Sequence, residues 1–186
     1  FSVLCASGNG FITGGSGIGL IKLDAVGDTV WTYPTSVDVR DLLYTPGNGC
    51  VAAGYKNNLN NICIFKLDSA GDTLWTTTYD GDGLHNGFSI AEISGSGYAV
   101  AGYAEKTENG KDAFLMYLDY EGNVQSTRQY GGKSDDEVYS VISMPGGGIA
   151  AAGYTESFGN GKKDGYLLRL DASGDTLWSL TSGGTE

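Results

Sequence analysis

Short apolar runs, separated by breaks rich in glycine, asparagine and aspartate, recur along the whole chain. The stretch Ile149–Trp178, IAAAGYTESFGNGKKDGYLLRLDASGDTLW, shows the unit most clearly. Ile149–Thr155 and Gly165–Leu170 are apolar, Thr176–Trp178 opens a third run, and SFGNGKKDG and Ser-Gly-Asp break the chain between them. No i, i+3, i+4 stripe is sustained, and glycine falls in nearly every window a helix would need. The runs GLIKL, ICIFKL, AFLMYL and GYLLRL are almost continuously apolar, the pattern of strands covered on both faces. The runs just before them are built from Ala and Gly, which suits a crowded place near a central axis.

Landmarks divide the chain into four copies. Leu-Asp stands at Leu23-Asp24, Leu67-Asp68, Leu118-Asp119 and Leu170-Asp171, in steps of 44, 51 and 52 residues. Gly-Tyr recurs at Gly54-Tyr55, Gly102-Tyr103 and Gly153-Tyr154, with Gly14-Gly15 in copy one. A tryptophan follows the Leu-Asp turn at Trp31, Trp75 and Trp178, and copy three has Ser126 there. A period of about 50 residues signals a repeat architecture.

Each copy predicts four strands. They are Phe1–Ala6, Phe11–Gly15, Gly19–Leu23 and Thr29–Tyr33 in copy one, and Val39–Thr45, Val51–Tyr55, Ile62–Leu67 and Thr73–Tyr79 in copy two. Copy three has Phe88–Ile93, Tyr98–Ala104, Ala113–Leu118 and Val124–Tyr130, and copy four Val138–Ser143, Ile149–Thr155, Gly165–Leu170 and Thr176–Thr181. The connections SGNG, PGNG, SGSG and PGGG, and DAVGD, DSAGD, DYEGN and DASGD, are too short for parallel crossovers, so each copy reads as an antiparallel meander.

The expectation is therefore an all-β chain, a β-propeller of four-stranded antiparallel blades. It is read as one domain over residues 1–186, with repeats near 1–36, 37–85, 86–135 and 136–186. The final SGGTE matches the YGGKSDDE that opens copy four, and the initial FSVL matches VYSV after it. A closed ring of four blades would give that match, and so would four blades cut from a larger ring; the four-bladed closure is the reading favoured here.

The repeats resemble the glycine-rich β-propeller repeats of secreted Bacteroidetes proteins, on AGYTESFGNGKKDGYLLRLDASGDTLW followed by YGG, across essentially all 186 residues. Copy one departs by being shortened and lacking the long loop. LDASGDTLW also resembles the tryptophan-docking segment of pyrroloquinoline-quinone-type propellers, and ITGG the double glycine of kelch repeats. The resemblance implies a propeller in an exported protein, often one carried by the type IX secretion system, and hence an extracellular or cell-surface setting. It implies little about activity.

Composition narrows the partners. Gly contributes 31 residues, far more than the usual ~7%, without a Gly-X-Y period. Eleven basic against 22 acidic residues give a net charge of −11, which disfavours nucleic acid and anionic lipid surfaces. No apolar run is long enough to insert as a membrane helix. The chain starts at Phe1, not Met, which reads as a mature or excised segment. Cys5, Cys50 and Cys63 form neither a disulfide framework nor a zinc site. Antiparallel pairing puts Cys63 opposite Gly54, so buried inert thiols are expected.

Loops after the second and fourth strands share one face of a propeller, and these are the ones that vary: residues 56–61, 105–111 and 156–163, and residues 34–38, 80–86 and 131–137. Loops on a rigid scaffold are where binding resides. Candidate binding residues there are Asp80, Asp82, His85, Asn86, Tyr130, Asp135 and Asp136. Asp80-Gly-Asp82-Gly and Ser134-Asp135-Asp136-Glu137 are the calcium candidates, since calcium takes six to eight oxygens. Their register lacks a following Glu, and solvated turn carboxylates are the favoured reading, with no cofactor expected. His85, the only histidine, is read as a solvent-facing loop residue.

Asp24, Asp68, Asp119 and Asp171 recur once per copy, with Lys22, Lys66 and Arg169 two residues earlier and Tyr117 in copy three. They are read as turn-capping aspartates partly paired by those cations. The recurrent tryptophans and Tyr55, Tyr103 and Tyr154 are read as packing between blades rather than stacking on sugars. GGSGIGL at residues 14–20 opens a strand, not a helix, so a phosphate cradle has little support.

No nucleophile or acid–base constellation stands out. The leading expectation is a non-catalytic extracellular module for protein interaction, adhesion or assembly, its partners being other proteins or further domains and subunits of a surface assembly. A carbohydrate-binding propeller, taking surface glycans, is the alternative. A glycosidase, which needs two carboxylates across a cleft, comes third.

Overall fold

The computed structural model describes residues 2–5, 10–56, 61–81, 83–106 and 110–185. Four separate four-stranded antiparallel sheets form the blades, each with its strands in chain order. Blade one holds β1 (Ser2–Cys5), β2 (Phe11–Gly15), β3 (Gly19–Leu23) and β4 (Thr29–Tyr33). Blade two holds β5 (Asp38–Thr45), β6 (Gly49–Lys56), β7 (Asn61–Leu67) and β8 (Thr73–Tyr79). Blade three holds β9 (Leu84–Ile93), β10 (Gly97–Lys106), β11 (Gly110–Leu118) and β12 (Val124–Tyr130). Blade four holds β13 (Asp136–Ser143), β14 (Ile149–Thr155), β15 (Asp164–Leu170) and β16 (Thr176–Ser182). The architecture is that of a β-propeller.

The turn from third to fourth strand has one construction throughout. Asp68 Oδ1 accepts the amides of Ala70 and Asp72, and Asp24, Asp119 and Asp171 do the same in their blades. The glycine three residues on has a positive φ of 86–93° in all four turns, a backbone L side chains avoid. Hydrogen bonds, first from the Asn123 side chain and then from the turn amides, hold the Asp119 carboxyl below its ordinary value against an opposing desolvation. The neighbouring cations do not partner these aspartates as expected: Lys22 Nζ donates to the carbonyls of Asn48 and Ser69 in blade two, and Arg169 to those of Gly147 and Ile149.

Among the described residues apolar side chains collect in three cores, one between each pair of successive blades. Ile12 and Leu20 of blade one pack on Val39, Cys50, Phe65 and Leu67 of blade two. The other face of blade two, Val51, Ala53, Ile62 and Ile64, packs on Ile90, Val100, Phe114 and Met116. Ala101, Leu115 and Tyr117 of blade three meet Val141, Ile149, Leu168 and Leu170 of blade four. In blades two and three the second and third strands are thus apolar on both faces because a sheet lies against each face. Cys50 and Cys63 are buried free thiols, opposite Leu67 and Gly54 respectively; the Cys5 side chain lies outside the described residues.

Of the two arrangements the termini allow, the structure shows the open one. The innermost strands follow one another, β1 against β5, β5 against β9 and β9 against β13, but no comparable packing joins blade four to blade one among the described residues. Among the described residues no fourth core forms, and Trp178 is 49% exposed. The four blades make an arc, not a closed ring.

Candidate binding face

The Gly-Tyr pairs build a repeated device on the variable-loop face. In blades two, three and four the innermost strand carries a β-bulge opposite the Gly-Tyr glycine, at Arg40, Phe88 and Tyr139. The glycine allows it by close approach: a Cβ on Gly54, Gly102 or Gly153 would stand 2.2, 1.7 or 1.8 Å from the carbonyl oxygen of Asp38, Asn86 or Glu137. A bulge re-aims the extra side chain. Each re-aimed side chain then lies on the tyrosine that follows the glycine.

The Arg40 guanidinium sits 5.0 Å from the Tyr55 ring, Phe88 packs 5.6 Å from Tyr103, and Tyr139 packs 6.0 Å from Tyr154. Phe88 and Tyr139, on adjacent blades, are 5.3 Å apart and join the units into one aromatic shelf. Lys111 Nζ stands 4.3 Å over Tyr103 and Lys163 Nζ 3.9 Å over Tyr154, both within cation–π range.

The residue two before each bulge anchors the tyrosine hydroxyl. Asn86 Nδ2 donates to Tyr103 Oη at 2.5 Å, and Tyr154 Oη donates to Glu137 Oε1 at 3.0 Å. In blade two Arg40 mediates, bonding both Asp38 and the Tyr55 hydroxyl. Glu137 is the hub of the shelf: although buried, it also takes the Tyr139 hydroxyl at 2.7 Å and the Lys111 ammonium at 2.7 Å. Burial first, and then the Glu137 carboxylate, push the Tyr139 and Tyr154 phenols upward. Burial, the largest single influence, would lower Lys111, but its bond to Glu137 together with the charges of Glu137, Tyr103 and Asp135 raises it.

The sequence-derived candidates divide. Asp80 is exposed in its loop, and Asp82 lies outside the described residues. His85 is not a solvent-facing loop residue: it belongs to β9, is 2% exposed and packs edge-on to Tyr79 at 5.2 Å and Phe114 at 4.9 Å. It is an aromatic core residue beneath the loop. Asn86 is likewise in β9 and buried, and it supports Tyr103 from within. Tyr130 is half-buried between blades, its hydroxyl donating to the Gly174 carbonyl at 2.6 Å.

Asp136, read as a loop carboxylate, is fully buried in β13. Its Oδ2 accepts Gly132 N at 2.9 Å and Ser157 Oγ at 2.6 Å, and its Oδ1 accepts the Thr155 hydroxyl. Asp135 Oδ1 accepts the Lys111 amide at 3.0 Å, and its carbonyl accepts Glu156 N. These two aspartates tie the loops of blades three and four together. Among the described residues no group of three or more His, Cys, Asp or Glu converges as metal ligands do.

Sequence reasoning thus missed Arg40, Phe88 and Tyr139, met Glu137 only as part of a calcium candidate, and placed Lys111 and Lys163 only at the ends of variable loops. A signal was present: Asp38-Val-Arg40, Asn86-Gly-Phe88 and Glu137-Val-Tyr139 repeat a polar residue followed two later by a large planar one.

No protein-family model matches the chain, and no curated protein matches it. Solved structures do. A protein of unknown function from Bacteroides caccae aligns with 99% of this chain and 82% of its own, at 12% identity and a TM-score of 0.58. The Pan2 WD40 domain of Neurospora crassa aligns with 96% of this chain and 48% of its own, at 13% identity and a TM-score of 0.65. BamB from Moraxella catarrhalis aligns with 100% of this chain and 54% of its own, at 14% identity and a TM-score of 0.55. Likeness at such identities concerns the fold, and the chain spans about half the length of the last two.

Proposed function

We propose that this chain is a non-catalytic interaction module that binds a protein partner through the shelf on its variable-loop face. The observation that carries this reading is the bulged row Arg40, Phe88 and Tyr139, re-aimed in three successive blades and joined by the 5.3 Å contact of Phe88 with Tyr139. Tyrosine, phenylalanine and arginine are the residues enriched at protein interfaces. Here their orientations are fixed beforehand by Glu137, Asn86 and the flanking lysines, which lowers the ordering cost of binding. A propeller fold with WD40-domain and BamB likenesses is compatible with such a module.

A second reading keeps the same shelf but lays a sugar ring on the exposed Tyr139 face, beside the Glu137 carboxylate. The extracellular or cell-surface setting is part of the proposal and rests on the resemblance of the repeats to secreted Bacteroidetes propellers. Selection of a displayed peptide library against the purified chain tests the main reading. Enriched peptides should lose binding at least about tenfold with Tyr139→Ala or Phe88→Ala, a hot-spot-sized loss. Peptides indifferent to both substitutions would overturn it, and glycan-array binding abolished by Tyr139→Ala would favour the sugar.

A further inference from the structure

We propose that the junction of blades three and four holds, on the face of the short turns, a docking site for a tryptophan side chain carried on a basic segment of a partner polypeptide.

The first two junctions are closed by one lock. The Trp31 indole Nε1 donates to the Ser69 carbonyl at 3.1 Å, and its ring covers Gly71 of the same turn. Trp75 Nε1 donates to the Tyr120 carbonyl at 3.0 Å, and its ring covers Gly122. At the third junction the lock is half made. Ser126 stands where the tryptophan would, paired with Tyr117 as Trp75 is with Lys66. The Tyr117 ring takes over the glycine, standing 3.0 Å from the Cβ position of Gly174. The hydrogen bond has no replacement. The counterpart of Ser69 and Tyr120 is Ala172, the residue after Asp171, and its carbonyl accepts no bond among the described residues.

Space is left at this place. A cavity of about 130 Å³ lies between the two blades, walled by Ile93, Tyr117, Leu118, Ser126, Ala172 and Ser173 among others. That is close to the ~150 Å³ that holds a benzene ring in an apolar core. Trp31 and Trp75 are themselves only half-buried, so a site of this kind need enclose only part of an indole. Tyr117 gives an independent sign of a missing partner: it is 6% exposed, and its hydroxyl is buried without a hydrogen-bond partner. Native structures leave few such groups unpaired. An indole entering beside Ser126 brings its N–H to the Ala172 carbonyl, as Trp31 and Trp75 bring theirs to the turns they lock, and lays its ring against Tyr117.

The surroundings select what carries the ring. Ile93 also walls a wider cavity of about 550 Å³, lined by Met144, Pro145 and the glycines at 146–148, which gives room for the residues beside the tryptophan. Asp171 and Asp175 belong to the turn of Ala172, and Asp119 and Glu121 to the corresponding turn of blade three, where Asp119 accepts a bond at 2.9 Å from Gln125 on the cavity wall. These carboxylates outnumber the guanidiniums nearby, Arg128 and Arg169, and the second is engaged by the carbonyls of Gly147 and Ile149. Complementary charge therefore calls for lysine or arginine next to the tryptophan and disfavours an acidic segment.

The probe is the peptide acetyl-Lys-Trp-Lys-amide, titrated into the purified chain and followed by nuclear magnetic resonance. It should shift the amide signals of Ser126, Ala172 and Ser173 saturably, with an affinity that falls as salt is added. Phenylalanine in place of its tryptophan removes the N–H and should weaken binding about fivefold, the loss of one hydrogen bond. Alanine in that place should abolish binding. Ser126→Trp completes the lock from within, so it should raise the melting temperature and abolish peptide binding. Ser126→Leu plugs the cavity with a smaller side chain should Ser126→Trp misfold. No saturable shift at millimolar peptide, binding that survives both plugs, equal affinity for the phenylalanine peptide, indifference to salt, or free indole bound as tightly as the peptide would each overturn the proposal. None of these readouts involves the loop-face shelf, so this test and that of the binding function fail separately.

Discussion

Trp75 donates its indole N–H to the Tyr120 carbonyl across the junction of blades two and three, 3.0 Å away, while its ring covers Gly122. The contact is therefore a hydrogen bond and a packing contact at once, and substitutions separate them. Trp75→Phe keeps most of the packing and loses the bond, an expected cost of about 1 kcal/mol. Trp75→Ala loses both and should cost about 3 kcal/mol. Gly122→Ala attacks the same lock from the other side: its Cβ would stand 2.6 Å from the Trp75 ring at a φ of +86°. It should cost clearly more than Gly95→Ala, where φ is +77° but nothing lies within 4 Å and only left-handed strain of about 1–2 kcal/mol applies. Urea unfolding of the four variants checks the order, and equal losses at the two glycines would contradict the lock.

Asp136 gives a second prediction, at the junction of blades three and four. Its carboxylate accepts donors from Gly132, Thr155 and Ser157, and it is fully buried. Removing an acceptor at the centre of such a group leaves buried donors unpaired. Asp136→Ala should cost about 2–4 kcal/mol, and amide exchange at Gly132 should accelerate. Ser157→Ala removes one donor and should cost about 1 kcal/mol. Thermal unfolding and hydrogen exchange measure both, and an Asp136→Ala protein as stable as the parent would remove this carboxylate from the account of the loops.

These elements mark how far the sequence could be read. The runs Phe11–Gly15, Thr73–Tyr79 and Ile149–Thr155 are strands with the bounds expected from apolar pattern and flanking glycines. Blade order and meander followed because the turns are too short for anything else. The first strands of blades three and four begin earlier than expected, at Leu84 and Asp136, because His85, Asn86, Asp136 and Glu137 are polar and carry no apolar signal. What buries them is a set of partners from other strands and loops: Phe114 for His85, Tyr103 for Asn86, Ser157 for Asp136, Lys111 for Glu137. Such convergence is tertiary, and a linear pattern does not display it. The aromatic shelf was hidden for the same reason, since a β-bulge shifts one residue out of the alternation by which strand faces are read. Ring closure failed as an expectation because matching ends show only that the repeat continues, not the angle through which each blade turns.

Alkaline titration provides the last prediction. Burial, and secondarily Glu92 and Glu121, push the Tyr98 phenol up from 10.0 to about 12. Burial likewise pushes Tyr117 to about 12. A folded-state pKa above the unfolded one means that the folded chain holds the proton more tightly. The resulting stability is complete below the ordinary phenol pKa and disappears as pH rises from about 10 through about 12. Lys111 acts in the same direction, its ammonium held by Glu137 until the pH exceeds its ordinary value of 10.5. Unfolding free energy should therefore be level from neutral pH to about 9 and fall steeply above about 10. Phenolate absorbance should lag behind that of free tyrosine and jump on unfolding. Tyr117→Phe removes one of the titrating groups and should make the decline shallower, whatever it does to stability at neutral pH. An absorbance curve with all 12 tyrosines ionising near pH 10 in the folded protein would contradict the burial of Tyr98 and Tyr117 between blades.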